Sequence, residues 1–381
     1  MNHQRILVTG ASGALGAEVV RRLTRQGHSV VASVHRARTL VTSSGQQLRM
    51  TRQFSANDAK PGEVQWVDLQ LTEPHLGMAR TLYADLSKAV DLVVHAAANT
   101  DFGRPREIYQ SVNVGGTRRI LEFVSSRAEA LPVLHVSTAY VCGEHAGVVL
   151  EEDLQVGQRF GNPYEESKFQ AEGLVHDAGV PAVIVRPSII VGTERTGRTR
   201  DFRHIFPVLK IMTTGRLRTM PGRYGALLDL VPIDYVADVI STSVSHLPQL
   251  IGRTLHAVNG RPLSFRELSD AVAEYPQFLM PRFVPAANFR AVDLPRHERP
   301  FYDDIISLYD TYFNRRVHFD DRLVRELMDG RRARSSAILV RRLLDYCLQV
   351  GYLGSKRIAP RALPLRASLG SAPPSMAGAP Q

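Results

Sequence analysis

Within Asn162-Pro163-Tyr164-Glu165-Glu166-Ser167-Lys168 a phenol and an ammonium stand four residues apart. The run from Pro163 to Leu174 reads as a helix, and on a helix this spacing puts both groups on one face, one turn apart. Pro163 suits a first helical turn, where its missing N–H would have had no partner. An ammonium beside a phenol favours the ionised form and lowers the phenol pKa from its usual value of about 10. Tyr164 is therefore expected to be a proton donor working near neutral pH, sharpened by Lys168. The pair alone says little. With 12 Tyr and five Lys in the chain, chance places one such spacing in roughly one chain in six. It gains meaning only if other stretches supply a cofactor site in the right order.

The first such stretch lies at the start. Arg5 to Thr9 is a short apolar strand, Gly10-Ala11-Ser12-Gly13-Ala14-Leu15-Gly16 follows at once, and Ala17 to Gln26 reads as a helix ending at Gly27. Strand, glycine turn and helix in immediate succession are the context a dinucleotide fingerprint needs. Gly10 permits the tight turn, Gly13 lets backbone approach a pyrophosphate, and Gly16 allows close helix–strand packing. The helix N-terminus adds free N–H groups and a positive dipole end. Gly10, Ser12, Gly13, Ala14, Leu15 and Gly16 are thus the expected phosphate cradle, with spacing GxxGxxG.

Ser29 to Val34 is a second strand, and Arg36 and Arg38 follow it. In this architecture an acidic residue there binds the ribose hydroxyls of NAD, and an Arg accommodates the 2′-phosphate of NADP. No Asp or Glu occurs between Glu18 and Asp58, so Arg36, then Arg38, argues for NADPH. Thr39 to Gly62 is polar and weakly periodic, and is expected to form an irregular helix and a loop. Val64 to Val67 is strand three. Asp68-Leu69 follows, where a carboxylate can accept from an adenine amino group. Asp91 to His95 is strand four. The small Ala96, Ala97 and Ala98 after it let a cofactor lie against backbone. Asn113, in a predicted helix from Ile108 to Ser125, needs a polar partner if it faces the sheet; it is counted with the cofactor site, as a brace for the active-site strand or helix. Thr138 closes strand five, within Leu131 to Val141, at the sheet end where ligands bind. After strand six, Pro181 to Ile190, Pro187-Ser188-Ile189 turns the chain over the expected nicotinamide.

These alternations predict an α/β fold: a Rossmann-type doubly wound parallel sheet with a smaller, mostly helical C-terminal region. Residues 1–192, with returning segments at about 226–260, are expected to form the NADP-binding domain. Residues 193–225 and 261–354 are the expected substrate-binding region, and 355–381, rich in Pro, Ala, Ser and Gly, a disordered tail. In the C-terminal part, Arg253 to Val258 is a late strand and Ser264 to Glu274 a helix with Ser264 and Glu267 as a capping box. Phe301, Tyr302, Tyr309, Tyr312 and Phe313 could line a pocket for a long apolar group or simply fill core.

Composition narrows the class. At 381 residues, 44% hydrophobic and 22% charged, the chain reads as a soluble globular protein. It shows neither a signal segment nor an apolar run long enough to span a membrane. Cys142 and Cys347, the only two cysteines, give no disulfide framework and no metal cluster, and the default setting is the cytoplasm. The net charge is +10, and 17 basic against 10 acidic residues fall between Met280 and Gln381. Such an excess attracts acidic partners or is a solvated arginine-rich face. No nucleic-acid module can be placed in it.

Taken in order, Thr9-Gly10-x-x-Gly13-x-x-Gly16, Asp68-Leu69, His95-Ala96-Ala97-Ala98, Asn113-Val114-Gly115-Gly116-Thr117, Ser137-Thr138-Ala139-Tyr140-Val141, Asn162-Pro163-Tyr164-x-x-Ser167-Lys168 and Arg186-Pro187-Ser188 resemble the extended short-chain dehydrogenase/reductase superfamily over about residues 5–275. Arg186 to Gly192 with Thr196-Gly197, and Leu230 to Asp238, are similar to fatty acyl-CoA reductases and thioester reductase domains. Cys142 departs from the Tyr that many relatives carry there. The resemblance implies that Thr138 and Tyr164 hold a substrate carbonyl, that Tyr164 donates the proton, and that Lys168 binds the nicotinamide ribose and keeps Tyr164 acidic. It implies NADPH as cofactor and an acyl thioester, on coenzyme A or an acidic carrier protein, as substrate. The product is an aldehyde, or an alcohol after a second turnover. A homodimer and peripheral contact with membrane lipid are further expectations. Alternatives are a sugar-nucleotide epimerase or dehydratase, a hydroxysteroid-type dehydrogenase or ketoreductase, and, remotely, a non-catalytic NADP-binding regulator.

Overall fold

A computed structural model describes residues 3–35, 38–57, 59–334 and 336–354. Seven strands form the main sheet: β1 Arg5–Thr9, β2 Ser29–Val34, β3 Val64–Asp68, β4 Leu92–His95, β5 Val133–Val136, β6 Ala182–Pro187 and β7 Thr254–Ala257. The two-residue strand Arg52–Gln53 adds an edge beside β3, giving the order β7-β6-β5-β4-β1-β2-β3-edge, parallel throughout. β1 and β2 are buried along their whole length. That is why they read as unbroken apolar runs rather than alternating ones: a parallel strand is covered on both faces.

The helices that cover the sheet are α1 Ala14–Arg25, α2 Arg80–Ala89, α3 Gly116–Val124 and α4 Pro163–Asp177. Further on come α5 Ile205–Thr213, α6 Ile233–Ser245, α7 Phe265–Ala273 and α8 Ser336–Gln349. Side chains one apart along a strand supply the two faces. Ile6 and Val8 of β1 pack with Val19, Val20 and Leu23 of α1. Leu7, between them, joins Val31 and Val93 on the other face, beneath Ile120 and Phe123 of α3 and Val175 of α4. A third apolar cluster, with Phe206, Leu209, Met220, Phe265, Phe313 and Leu343 in it, sits under the C-terminal part.

The order of strands reverses between β1 and β4, and this is where an open α/β sheet leaves a crevice beyond its strand ends. Gly10 follows β1 there and Ala96 follows β4.

Three stretches differ from expectation. Thr39 to Gly62 holds no helix among its described residues; Leu40–Val41 and Gln47–Leu48 pair as a hairpin and Arg52–Gln53 joins the sheet. The helix expected at Ile108 starts at Arg106 and contains a π-helical segment, Gln110–Gly115. Pro281 to Leu353, within the region expected to be mostly helical, holds α8 and shorter helices and 3-10 turns but also two strands: Arg282–Val284 pairs with Thr219–Pro221, and Val317–Phe319 with Gly147–Val149. Pairing across such distances leaves no local signal. No helix among the described residues is long and apolar enough to cross a membrane. The tail expected at 355–381 lies outside the described residues.

Candidate active site

The glycine turn is shaped so that only backbone fits. Gly10 has φ +68°, and a Cβ there would lie 2.8 Å from Ala97 N and Cα. A Cβ on Gly16 would lie 2.1 Å from the Gly10 carbonyl oxygen. Gly13 is the N-cap of α1 and makes no side-chain cap. The first-turn N–H groups are therefore left to a ligand, with the positive end of the helix behind them. These features fit the phosphates of a dinucleotide.

From that turn a cavity of about 450 Å³ runs across the ends of β1, β4, β5 and β6, a size common for small-molecule sites. Gly10, Ser12, Gly13, Ala14, Leu15 and Gly16 line one end of it. Ala96, Ala98, Thr138, Tyr164, Lys168, Pro187, Ser188 and Ile189 line the rest of the expected set. The sequence-predicted catalytic and phosphate-binding groups thus share one wall-to-wall space.

Local sequence holds each group. Asn162 caps α4, its Oδ1 accepting from Glu165 N at 3.0 Å, and Pro163 occupies the first turn. Lys168 and Glu172 are buried on the same helix face. The Lys168 ammonium donates to Val136 O at 2.9 Å and to His135 Nε2 at 3.5 Å, which fixes it against β5. Burial lowers its pKa to about 8, with Glu172 opposing. Glu172 is itself tied to the buried Arg186 of β6, whose Nε donates to it at 2.9 Å. Burial would raise this carboxyl, but Arg186 and its hydrogen bonds bring it down to about 2. Thr138 caps a 3-10 turn, accepting from Tyr140 N at 3.3 Å, and donates to Pro187 O at 3.3 Å.

The expectation for the phenol needs correcting. Burial and the neighbouring Glu165 push the Tyr164 pKa up, against a smaller pull from Thr138. Lys168 is not among the groups that act on it. Spacing put both residues on one face, but the long lysine stem carries its charge down to the sheet. Burial and Glu165 both favour the protonated phenol, so the expected sharpening of Tyr164 by Lys168 is not found.

Other expected residues stand outside the cavity lining. Asn113 sits in the π-helical segment, where its Oδ1 accepts from Asn99 N at 2.7 Å and its Nδ2 donates to Asn99 O at 3.1 Å and Ser167 Oγ at 2.9 Å. All its capacity goes to joining the β4 loop to α4, so it braces and does not touch the cavity. Ala97 lies behind Gly10 and donates its N–H to Thr9 Oγ1 at 3.2 Å. Arg38 pairs with Asp68 at 3.3 Å and lies over the Trp66 ring at 4.5 Å, on the exposed end of β3. Leu69 is buried in the core beside it. Arg36 lies outside the described residues. Phe301 and Tyr302 pack against the C-terminal core, whereas Tyr309, Tyr312 and Phe313 line the cavity. Cys142 is buried, its thiol pushed up to about 12 by burial, and is inert.

Sequence reasoning missed the roof. Phe102, Arg200, Arg203 and His204 also line the cavity. Phe102 stacks on Tyr309 with centroids 4.9 Å apart and lies 5.7 Å from the Tyr164 ring. His204 has φ +57°, a conformation costly for a side chain of this kind, and Tyr309 OH donates to its carbonyl at 3.0 Å. Beside Tyr164, the buried carboxylate of Glu165 accepts from Tyr312 OH at 2.7 Å and Arg315 Nη2 at 2.8 Å. This clamp ties the C-terminal region to the first turn of α4.

Parallel sheet, glycine turn and Thr/Tyr/Lys cavity define a domain of the extended short-chain dehydrogenase/reductase type. The chain belongs to the NAD-binding family described as male sterility protein, whose profile matches residues 8–240. It is 29% identical over 293 residues to a Penicillium chrysogenum protein named as the large subunit of L-2-aminoadipate reductase, a match covering 71% of this chain and 20% of that one. A Drosophila melanogaster protein named as a fatty acyl-CoA reductase is 26% identical over 340 residues, 72% of this chain and 59% of its own length. The chain thus spans less than two thirds of either relative. Among solved structures, the terminal R domain of the myxalamid PKS-NRPS pathway superposes with a TM-score of 0.73 at 24% identity, covering 92% of each chain. A thiolation-reductase di-domain from an archaeal non-ribosomal peptide synthetase gives 0.68 at 18%, over 93% of this chain and 77% of that one. Both show the fold.

Proposed function

We propose that the chain is an NADPH-dependent reductase of acyl thioesters, carried on coenzyme A or an acidic carrier protein, yielding an aldehyde, or an alcohol after a second turnover. The observation that carries this reading is the joining of Thr138, Tyr164 and Lys168 with the glycine turn in one cavity whose far wall is aromatic. Phe102, Tyr309, Tyr312 and Phe313 suit an apolar acyl chain better than a sugar ring, which would demand many polar partners. Membership of a family with acyl-CoA reductase relatives supports the same class.

Gly10, Gly13 and the first turn of α1 would hold the pyrophosphate, Lys168 the nicotinamide ribose, and Pro187-Ser188-Ile189 the ring's far side. Ser188 Oγ is already given to the buried Asp229, so its contribution is backbone and shape. Bound there, NADPH supplies the hydride. Thr138 and Tyr164 receive the thioester carbonyl oxygen as it gains charge, and donors already in place at that point give such sites most of their rate. Tyr164 passes its proton to that oxygen, leaving a hemithioacetal, which collapses to aldehyde and free thiol. The proposed substrate region, residues 193–225 and 261–354, supplies the acyl pocket, and the basic last quarter an electrostatic landing for an acidic carrier.

The test is product analysis with NADPH and a panel of acyl thioesters of increasing chain length. Aldehyde or alcohol with released thiol is the expected result. Turnover of free aldehydes or ketones with every thioester untouched would replace this reading by that of an alcohol dehydrogenase.

A further inference from the structure

The strap from Thr193 to His204 lines the cavity from Thr199 onward, and one arginine on it is placed unlike the rest. Arg200 Nη1 donates to Ser12 O at 2.8 Å and to Val41 O at 3.1 Å. It therefore bridges the outside of the glycine turn to the hairpin that follows β2. In a doubly wound nucleotide fold the glycine turn and the end of β2, from which this hairpin follows, flank the adenosine ribose. The strap is itself held: Tyr346 OH donates to Thr199 O at 3.2 Å, and Arg203 pairs with Asp101 at 3.3 Å.

Among the described residues no carboxylate pairs with Arg200, although it lines the cavity and is exposed. Of the two arginines that follow β2, Arg36 lies outside the described residues, and Arg38 pairs with Asp68 and lies over Trp66. A guanidinium held by two carbonyls keeps further N–H donors and its full charge. A dianionic phosphate monoester is the partner such a fork suits best. The pyrophosphate already has the N-terminus of α1, so the charge left to satisfy is on the ribose.

We propose that Arg200 reads the 2′-phosphate of NADPH, supplying from the substrate side of the chain a specificity contact for the nucleotide. This rests on the NADPH reading above and adds a residue 159 positions beyond Val41 to it.

Calorimetric titration of the full chain with adenosine 2′,5′-bisphosphate and with 5′-AMP tests it without turnover. Wild type should bind the bisphosphate at least about tenfold more tightly than 5′-AMP. In Arg200→Met and Arg200→Gln that preference should shrink to about twofold while 5′-AMP binding holds, and Arg200→Lys should restore part of it. If wild type discriminates and both neutral variants discriminate equally well, Arg200 is not the reader and the NADPH reading survives. Equal weakening toward both ligands assigns Arg200 to the rest of the nucleotide and overturns the proposal. If wild type itself shows no preference, this proposal and the NADPH reading fall together.

Discussion

The two walls of the cavity are built from different materials. The floor is main chain: a glycine turn, the alanines after β4 and the first turn of α1, packed so closely that a Cβ on Gly16 would overlap the Gly10 carbonyl. The roof is side chain: Phe102, Arg200, His204 and Tyr309 meet there from three separate segments. A main-chain floor can offer only N–H groups and shape, which suit what every dinucleotide shares. On the proposed function, choice among nucleotides and acyl groups falls to the roof, where one side chain can change without moving a strand.

Breaking the chemistry between the walls should have the largest effect. Tyr164→Phe removes the proposed proton donor but neither wall, so kcat should fall about 10²–10⁴-fold while NADPH binding by calorimetry stays near wild type. Breaking the floor comes next. Gly16→Ala forces the turn apart, and kcat/KM should drop about 10²-fold, through KM for the cofactor, with Tyr164 untouched. A tenfold smaller effect at Gly16 than at a roof residue such as Phe102→Ala would reverse the division of labour.

The comparison also governs what could be read from sequence. The floor was legible because its parts are contiguous: strand, glycines and helix lie within Arg5–Arg25, and Tyr164 and Lys168 within one helix turn. The roof was not, because Arg200 meets Ser12 across 188 positions and Phe102 meets Tyr309 through packing alone. Spacing also misjudged the phenol. It fixed the helix face of Lys168 but not the end of its side chain, which goes to Val136 O. Asn113 was correctly seen as needing partners, yet its place in a π-helical segment, and so its distance from the cavity, has no sequence mark. The hairpin at Leu40–Leu48 replaced an expected helix because its pairing and its tie to the buried Glu18, which accepts from Ser43 N at 3.0 Å, outweigh weak local propensity.

Smaller effects sharpen the account. With Lys168 near 8 and Tyr164 higher, kcat/KM should fall as pH rises through about 8, when the ammonium is lost, and show no inflection from the phenol below 10. A pH–rate profile shows this directly. Tyr312→Phe deletes a buried hydrogen bond to Glu165, and urea unfolding should report a loss of about 1.5–3 kcal/mol with cofactor affinity unchanged.

His95, His135 and His256 are buried, and burial holds all three well below the usual imidazole value, His95 and His256 at about 3. The unfolded chain takes up these protons near 6.5 and the folded chain does not, so stability is intact above that pH and is lost as pH falls below it. The buried Glu151 opposes this, since burial raises its carboxyl to about 7 and the folded chain takes up that proton first. With three histidines against one carboxyl, the midpoint of thermal unfolding followed by circular dichroism should still fall between pH 6.5 and 5.

The most direct measurement is the stoichiometry of free thiol released to NADPH oxidised, with a long-chain acyl-CoA, in wild type and Tyr164→Phe side by side. The account predicts one thiol per one NADPH if reduction stops at aldehyde, or per two if it continues to alcohol, and almost none from the variant. NADPH oxidation without thiol release, or undiminished release from Tyr164→Phe, would contradict it.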